Sequence, residues 1–321
     1  MIVIISSKFD TSTDEVVEWL CYYNVKFRRF NFEEITNLEN FYLTNDDVVF
    51  QLGNINLSDI SVIWHRRARL NMLPQSLRKM GGITDYLQKE EDSLIKSIEY
   101  FLSEFTGQYI GSFHNEVENF KINHLLIAKK NGLDIPETLI TTDKKSLMHF
   151  FNLFPSIITK DLRYPLSVEY DEYKLLSDGT FRITLDMINN LNDKFSPTLV
   201  QHEINKEYEI RIFFFMKKLF SMAIFSQSDT QTEVDYRNYN SEKPNRNVPV
   251  VLPKEIEVKI LKFITELKLK TGSIDLIYSK CGKYYFLEVN PMGQFDWVSK
   301  NCNYNIEKKI AQHLVKIENE N

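Results

Sequence analysis

Glycine is scarce in this sequence, with 10 glycines among 321 residues. The predicted first strand, Ile2–Ile5, is not followed by the Gly-x-Gly-x-x-Gly turn that brings a dinucleotide pyrophosphate to a helix N-terminus. The opening of the chain therefore does not predict a dinucleotide site of the Rossmann type.

Cysteine is also rare, and Cys21, Cys281 and Cys302 do not have the spacing of a zinc site. Because three cysteines cannot all pair within one chain, we interpret them as free thiols in a reducing compartment. The apolar segment Met1–Ile5 is too short to span a membrane, and it lacks the basic residues and the cleavage site of a signal peptide. We therefore expect a cytoplasmic protein.

Positive charge is not in excess, since 39 lysines and arginines stand against 44 acidic residues and give a formal net charge of -5. Such a chain has no general attraction to nucleic acid or to an anionic membrane, so neither is an expected partner. Hydrophobic residues make up 43% of the chain, which is enough for a large core and predicts two or three subdomains.

The most informative stretch is a predicted hairpin between Thr271 and Asn290, with its turn at Ser279–Gly282. Residues two apart on a strand share a face, so Glu288 and Asn290 project together. If the hairpin pairs symmetrically about its turn, Asp275 lies beside Glu288.

Carboxylate and carboxamide oxygens at this density suit Mg²⁺, and the absence of His and Cys from the cluster argues against zinc. The alternative is a solvated hairpin with ordinary surface acids. Pro291 and Gly293 favour the metal site, because a stiff turn would hold the end of the strand in place.

At these residues the sequence resembles the ATP-grasp ligases, whose magnesium site is an Asp paired with Glu-x-Asn on adjacent strands. The segment Leu287–Phe295 is most similar to the graspetide (microviridin-type) peptide synthetases, and within them to the grasp-with-spasm maturases. The resemblance extends from about Ile60 to the C-terminus. It implies an α/β (α+β) protein with the ATP-grasp fold: an N-terminal parallel pre-ATP-grasp domain at 1–117, a central lid subdomain at 118–196, and an antiparallel-sheet subdomain with the Mg-ATP site at 197–321.

The N-terminal pattern predicts a strand at Ile2–Ile5, a helix from a cap at Asp10–Thr13 to about Tyr22, and a strand at Val25–Phe30. A strand, helix, strand order implies a parallel unit with a right-handed crossover. Further strands are predicted at Asp47–Gly53 and Ile60–Arg67.

Three arginines, Arg66, Arg67 and Arg69, follow the last of these strands. They could bind carboxylates or phosphates, because a guanidinium binds both in a bidentate manner, or they could pair with local acids. The related synthetases carry a Trp-x-Arg-Arg at this place.

Helical periodicity predicts helices at about Thr84–Glu104 and Val117–Lys130, followed by a strand at Ile135–Ile140. The resemblance places Lys121 near the nucleotide phosphates, although a lysine on a helix is also common as a solvated charge. Lys160, at the end of a short apolar strand, corresponds to the second nucleotide lysine of the family.

The loop after Lys160 has no glycine, whereas related loops use several glycine amides to hold phosphate. Either Arg163, Ser167 and ordinary amides replace them, or the lid is looser than usual. Beyond this loop, the pattern predicts a hairpin of Tyr170–Leu176 with Thr180–Leu185.

The strand Thr198–Asn205 resembles the segment that joins the two grasping lobes, where main-chain groups near Gln201, His202, Glu203 and Ile204 would bind adenine. The next strand, Tyr208–Phe215, is predicted to pair with an antiparallel strand at Leu219–Ser226.

Tyr208–Phe215 carries two opposite charges, Glu209 and Arg211, on one face. By resemblance, Glu209 binds the ribose hydroxyls, and Arg211 faces the γ-phosphate and the acyl phosphate. A structural Glu–Arg pair is the alternative.

The long polar segment Asp229–Pro253 contains Asp235-Tyr-Arg-Asn-Tyr239, a phrase typical of the peptide cross-linking ligases. By resemblance, Arg237 lies at the reaction centre, and we favour it over Arg246. Amphipathic patterns then predict helices at Leu252–Leu269 and Asn305–Ile317.

The implied activity is that of an ADP-forming ligase that uses ATP and two Mg²⁺ ions to activate Asp or Glu side chains of a ribosomally made precursor peptide. Ser, Thr or Lys side chains of the same peptide would then form macrocyclic esters or amides. A ligase that joins small carboxylates to amines is the alternative, and a nucleotide-binding regulator without catalysis is a third reading. By resemblance we also expect a homodimer and a radical enzyme with a SPASM domain in the same pathway.

Overall fold

The computed structural model describes residues 1–162, 167–170, 173–176, 179–229, 231–238 and 240–320. Arg163 and Tyr239 lie outside these residues, and so does the side chain of Ser167.

The strands are β1 Ile2–Ser6, β2 Phe27–Asn31, β3 Leu38–Leu43, β4 Val48–Leu52, β5 Ile55–Asn56, β6 Val62–His65, β7 Tyr109–Ile110, β8 Thr138–Asp143, β9 Ile157–Lys160, β10 Ser167–Tyr170, β11 Tyr173–Leu176, β12 Phe181–Arg182, β13 Lys194–His202, β14 Lys206–Phe215, β15 Lys218–Phe225, β16 Arg246–Pro249, β17 Thr271–Ser279 and β18 Tyr284–Asn290. The helices are α1 Thr11–Tyr22, α2 Gly82–Thr106, α3 Phe113–Val117, α4 Lys121–Lys130, α5 Lys144–Leu153, α6 Leu185–Asn190, α7 Lys254–Glu266, α8 Asp296–Cys302 and α9 Ile306–Glu320. None of the helices in the described part of the chain combines the length and the apolarity that a membrane crossing requires.

Contacts divide the chain into two compact units. The first consists of Met1–Glu118, Leu269–Gly272 and Pro291–Asn321, and the second of Asn119–Lys268 and Ser273–Asn290. The sequence-based division at 117 and 196 stays a prediction.

The first unit is built on a sheet of order β2-β1-β6-β7, in which all pairs are parallel. The parallel opening predicted from the sequence is therefore confirmed. Val3 and Ile5 pack in one cluster with Ile95 and Ile98 of α2, while α9 contacts β1 and α1. A strand covered in this way is buried throughout, which explains its unbroken apolar run.

A separate antiparallel sheet of order β3-β4-β5 also belongs to the first unit. Its middle strand confirms the strand predicted at Asp47–Gly53. The strand Leu38–Leu43 was missed, because much of it is exposed and its sequence has no clear alternation.

In the second unit, a sheet of order β12-β9-β13-β8 has antiparallel pairs throughout. Its apolar face packs in one cluster with α5 and α6, through Leu147, Phe150, Ile157, Ile188 and Val200. This packing sets the position of the carboxyl end of β9, where Lys160 lies.

The predicted hairpin of Tyr170–Leu176 with Thr180–Leu185 is wrong. β11 pairs with β10, whereas Phe181 and Arg182 pair with β9. The turn signal Ser177-Asp-Gly179 favoured a local hairpin, but hydrogen bonds to the edge of the larger sheet determine the pairing of β12.

The predicted helix Val117–Lys130 is also interrupted. α3 ends at Val117, and α4 begins at Lys121 after Phe120, whose backbone is extended. Lys121 therefore stands at the start of a helix rather than within one.

The second sheet of this unit has the order β16-β15-β14-β17-β18. It confirms the antiparallel pairing predicted for Tyr208–Phe215 with Leu219–Ser226. Helix α4 contacts β18 and α7, and Phe263 of α7 packs on Phe286 of β18 with ring centroids 4.9 Å apart.

Candidate active site

The hairpin β17–β18 has the predicted register, with Asp275 opposite Glu288 and Ser273 opposite Asn290. Beyond this pair the register shifts, because Leu276 pairs with Phe286 and leaves Leu287 as an extra residue. An extra residue reverses the alternation of a strand. Phe286 can therefore be fully buried under α7 while Glu288 faces the same side as Asp275.

Glu288 is surrounded by cations from three other elements. Arg237 Nη1 lies 3.2 Å from Oε1, and Lys121 Nζ lies 3.6 Å from Oε2. Burial would raise the pKa of Glu288, but the charges of Lys160, Arg237 and Lys121 outweigh it and lower the pKa to about 2. Burial in turn lowers the pKa of Lys160, with Lys121 and Arg237 adding to the shift against the opposing charge of Glu288.

Asp275 is paired with Arg211 on the neighbouring strand β14. Arg211 Nη1 donates to both carboxylate oxygens, at 2.9 and 2.7 Å, and both side chains are buried. Burial raises the pKa of Asp275, and the Arg211 guanidinium opposes this shift. The phenol of Tyr236 is near the same pair, and burial together with the charge of Asp275 raises its pKa.

The side chains at this place fit a hard cation whose remaining ligands would be phosphate oxygens. Glu288 Oε2 is buried and lies 3.6 Å from Lys121 Nζ, but it accepts no hydrogen bond from the described residues, so its lone pairs could still coordinate a cation. Asn290 is exposed at the end of β18. Among the described residues, no group of three His, Cys, Asp or Glu side chains could hold a metal ion by itself.

Glu209, also on β14, is buried beside Lys206. Lys206 Nζ donates to Glu209 Oε1 and, at 3.0 Å, to the carbonyl of Val234, while Ser226 Oγ lies 3.3 Å from Glu209 Oε1. Burial raises the pKa of Glu209 to about 7, although Lys206 opposes the shift. Glu209 thus has Lys206 as its ion-pair partner, and Arg211 has Asp275, instead of the Glu–Arg pair that the sequence also allowed.

A cavity of about 680 Å³ lies beside the start of β14 and the segment at 202–206 that joins β13 to β14, and so joins the two sheets. Its volume is within the range of small-molecule sites. The residues that line it include Ser156, Arg182, Glu203, Lys206, Glu233 and Cys281.

The main chain of the joining segment is partly used within the protein. The amide of His202 donates to the carbonyl of Glu137 at 2.9 Å, and the amide of Glu203 donates to Ser156 at 3.0 Å. Ile204 is buried and lines the cavity.

The side chains of this segment have structural partners. Gln201 is buried in the sheet and donates to Thr138 Oγ1 at 2.9 Å, and the ring of His202 stacks on Phe154 with centroids 4.8 Å apart. Glu203 accepts from Ser156 Oγ at 2.6 Å. Each of these three side chains therefore has a partner within the protein, and the binding of adenine by main-chain groups of this segment stays a prediction.

The structure therefore brings six of the twelve predicted site residues into one cluster in the second unit: Lys121, Lys160, Arg211, Arg237, Asp275 and Glu288. Sequence reasoning missed Lys206 and Arg182. A lysine that opens a buried strand was a usable signal for Lys206, whereas Arg182 has no local pattern that points to its partners.

The arginines after β6 have structural partners in the first unit. Arg66 is buried, donates to the carbonyls of Met292 and Gly293, and has its pKa lowered to about 10 by burial. Arg69 pairs with Glu91 of α2 at 3.0 Å. Arg66 Nε also lies 3.5 Å from Asp10 Oδ2, so pairing with local acids holds for Arg66 and Arg69, while Arg67 is exposed.

Two antiparallel sheets that contribute lysines, arginines and a carboxylate pair to one buried place define the ATP-grasp fold, and the predicted fold class is confirmed. No protein-family model matches the chain, and no curated protein matches it. The chain does match solved structures.

The chain is similar over 98% of its length to a RiPP-associated ATP-grasp ligase of Chryseobacterium gregarium, in complex with ADP and a leader and core peptide, with 24% identity, a TM-score of 0.83 and 96% of that chain covered. It is also similar to the macrocyclase MdnC of Microcystis aeruginosa, bound to the precursor peptide MdnA, with 25% identity, a TM-score of 0.78, and 98% of this chain and 100% of that one covered. A third structure, the ATP-grasp ligase PsnB with minimal precursor, Mg and ADP, gives 14% identity, a TM-score of 0.77, and coverage of 98% and 96%. The chain has the fold of the RiPP-associated ATP-grasp ligases, and the resemblance found in the sequence is confirmed.

Proposed function

We propose that this protein is an ATP-dependent, ADP-forming ligase that activates Asp or Glu side chains of a ribosomal precursor peptide as acyl phosphates. Ser, Thr or Lys side chains of the same peptide then form macrocyclic esters or amides. The observation that carries the proposal is the Asp275–Glu288 pair with Lys121, Lys160 and Arg237 directed at Glu288, in a chain whose full-length neighbours hold ADP and precursor peptides.

The reaction needs no nucleophile from the protein. A peptide carboxylate oxygen attacks the γ-phosphorus of ATP and ADP leaves. A peptide hydroxyl or amine then attacks the acyl carbon, loses its proton, and phosphate leaves. The protein must bind the two substrates and stabilise negative charge that moves between phosphate oxygens, which preorganised cations do well in a buried site.

The chain's own residues divide these tasks. Lys121 and Lys160 bind the phosphates of ATP, Glu209 binds the ribose, and main-chain groups from Gln201 to Ile204 bind adenine, with His202, Glu203 and Ile204 lining the 680 Å³ cavity. Arg211 and Arg237 hold the transferring phosphoryl group and the acyl phosphate. Mg²⁺ held by Asp275, Glu288 and Asn290 would neutralise the phosphate oxygens.

Five further parts of the proposal are supported by the family resemblance alone. These parts are two Mg²⁺ ions per site, a homodimer, a radical SPASM enzyme acting in the same pathway, assignment to the grasp-with-spasm maturases, and a cytoplasmic location.

The direct test is ADP release from Mg·ATP with and without a synthetic peptide that has the sequence of the small open reading frame beside the gene. We expect peptide-dependent ADP release, and a peptide mass lower by one water for each bond formed. ADP release that depends on amino acids or small acids instead would support the ligase of small molecules. Nucleotide binding without turnover in either case would support a regulator.

Thiol labelling tests the position of the nucleotide without any peptide. Cys281 is exposed, lines the 680 Å³ cavity, and has its pKa lowered by the Ser279 hydroxyl 3.1 Å away. We expect Mg·ADP to slow alkylation of Cys281, as followed by peptide mass spectrometry, and to leave the exposed Cys21 of the first unit unaffected. Cys302 should react slowest in both states, because burial shields it and raises its pKa to about 11. Equal protection of Cys21 and Cys281 would argue against this cavity as the nucleotide site.

A further inference from the structure

The edge strand β12 connects the nucleotide cavity to the loop that carries Arg237. β12 is the outer strand of its sheet, and Arg182 pairs with Ile158 of β9, two residues before Lys160. The side chain of Arg182 leaves the sheet and reaches both Glu203, in the joining segment, and Glu233, in the long loop.

Arg182 contacts the two carboxylates with a defined geometry. Its Nε and Nη2 donate to Glu203 at 2.8 and 2.7 Å, which is the bidentate pairing that a guanidinium favours, and Nη2 also lies 3.0 Å from Glu233. One side chain therefore joins a wall of the cavity to the loop.

A second contact from the same place reaches the loop two residues further on. Thr180, which is buried just before β12, donates its hydroxyl to the carboxylate of Asp235. Burial would raise the pKa of Asp235, but the hydrogen bonds from Arg237 and Thr180 hold it below its usual value. Asp235 is therefore a charged acceptor in this network.

Asp235 in turn sets the orientation of Arg237. It accepts from Arg237 Nε at 2.8 Å, from Nη2 at 2.7 Å and from the backbone amide at 3.0 Å. The remaining nitrogen, Nη1, lies 3.2 Å from Glu288. Half of the Arg237 side chain is exposed, so packing alone does not fix it, and the carboxylate of Asp235 determines its direction.

We propose that Arg182 is a positioning residue. It holds the loop at Glu233, and so directs Arg237 at the reacting phosphoryl group. This role rests on the proposed function of Arg237. It differs from that of an ordinary surface ion pair, which would contribute little to stability and nothing to turnover.

The first test needs no substrate. Hydrogen exchange of residues 231–238 is measured in the wild-type protein, in Arg182→Gln and in Lys194→Gln, which removes an exposed ion pair with Asp143 elsewhere in the same sheet. We expect faster exchange of these amides in Arg182→Gln only. Unchanged exchange, or an equal change in both variants, would overturn the positioning role whatever reaction the protein performs.

The second test measures turnover with the peptide described above, alongside Mg·ADP affinity. We expect Glu233→Gln and Arg182→Gln to lower kcat about 10- to 100-fold, since a small displacement of a reacting group has effects of this size. In both variants kcat should fall by a larger factor than Mg·ADP affinity, and Arg182→Lys should recover part of the kcat. The double variant should be no worse than Arg182→Gln, because both changes break one contact.

Multiplicative losses in the double variant, or a kcat in Arg182→Gln equal to that of Lys194→Gln, would refute the proposal. If the wild-type protein itself shows no peptide-dependent ADP release, the proposed function fails, and hydrogen exchange alone decides the positioning role.

Discussion

Replacing Glu288 by glutamine should lower peptide-dependent ADP release by about 10²- to 10³-fold, the size of effect seen when one preorganised charge-stabilising group is lost. Glutamine keeps the shape of the side chain but loses its negative charge. Lys121, Lys160 and Arg237 would then face one another without the carboxylate that now balances them. The change also removes an oxygen ligand suited to Mg²⁺.

The matched control is Glu255→Gln on α7, where the glutamate is 76% exposed and pairs with Lys259 one turn away. It should leave ADP release within about twofold of wild type, since surface changes of this kind have small effects. A Glu288→Gln protein that kept more than a tenth of the wild-type rate would show that the hairpin carboxylate is not part of the reacting site.

Replacing Arg211 by methionine should lower the free energy of unfolding by about 3–5 kcal/mol, because it leaves the carboxylate of Asp275 buried without its partner. The pair is nine-tenths buried on both sides, so water cannot replace the lost contact. The measurement is the urea midpoint of the full chain. Turnover should be lost as well, since Arg211 is also proposed to hold the transferring phosphoryl group.

The double variant Arg211→Met/Asp275→Leu separates stability from catalysis. It removes both charges and should recover most of the stability lost in Arg211→Met, because neither group is then buried alone. It should remain inactive. Lys254→Met, which breaks an exposed pair on α7, serves as the control and should change stability by less than about 0.5 kcal/mol. If Arg211→Met costs no more than this control, the buried pair does not have the importance assigned to it.

Local periodicity was sufficient to predict the strands that carry the site residues. The alternation in Tyr208–Phe215 and the hairpin around Ser279–Gly282 predicted strands that the structure confirms, including the register of Asp275 with Glu288. A hairpin can be read in this way because its pairing partner is close in sequence.

Pairing between distant segments was predicted less accurately. Phe181 and Arg182 join β9 across more than twenty residues, although a turn signal favoured a local hairpin. Similarly, the bulge at Leu287 has no sequence marker, because it results from the competing demands of a buried Phe286 and a Glu288 that faces the opposite side.

The sequence by itself determined the hairpin with its carboxylates and the residue types that suit Mg²⁺, since strand alternation and ligand chemistry are local properties. The fold class and the use of ATP came from its resemblance to the ATP-grasp ligases. Only the tertiary structure decided which cation meets which carboxylate: Arg211 with Asp275, Lys206 with Glu209, and Arg237 with both Asp235 and Glu288. It also assigned Arg66 and Arg69 to structural contacts and gave Arg182 its two partners. The pairs of Arg211 with Asp275 and of Arg237 with Glu288 depend on distances between segments that are remote in sequence, and those distances are set by how the sheets and helices pack.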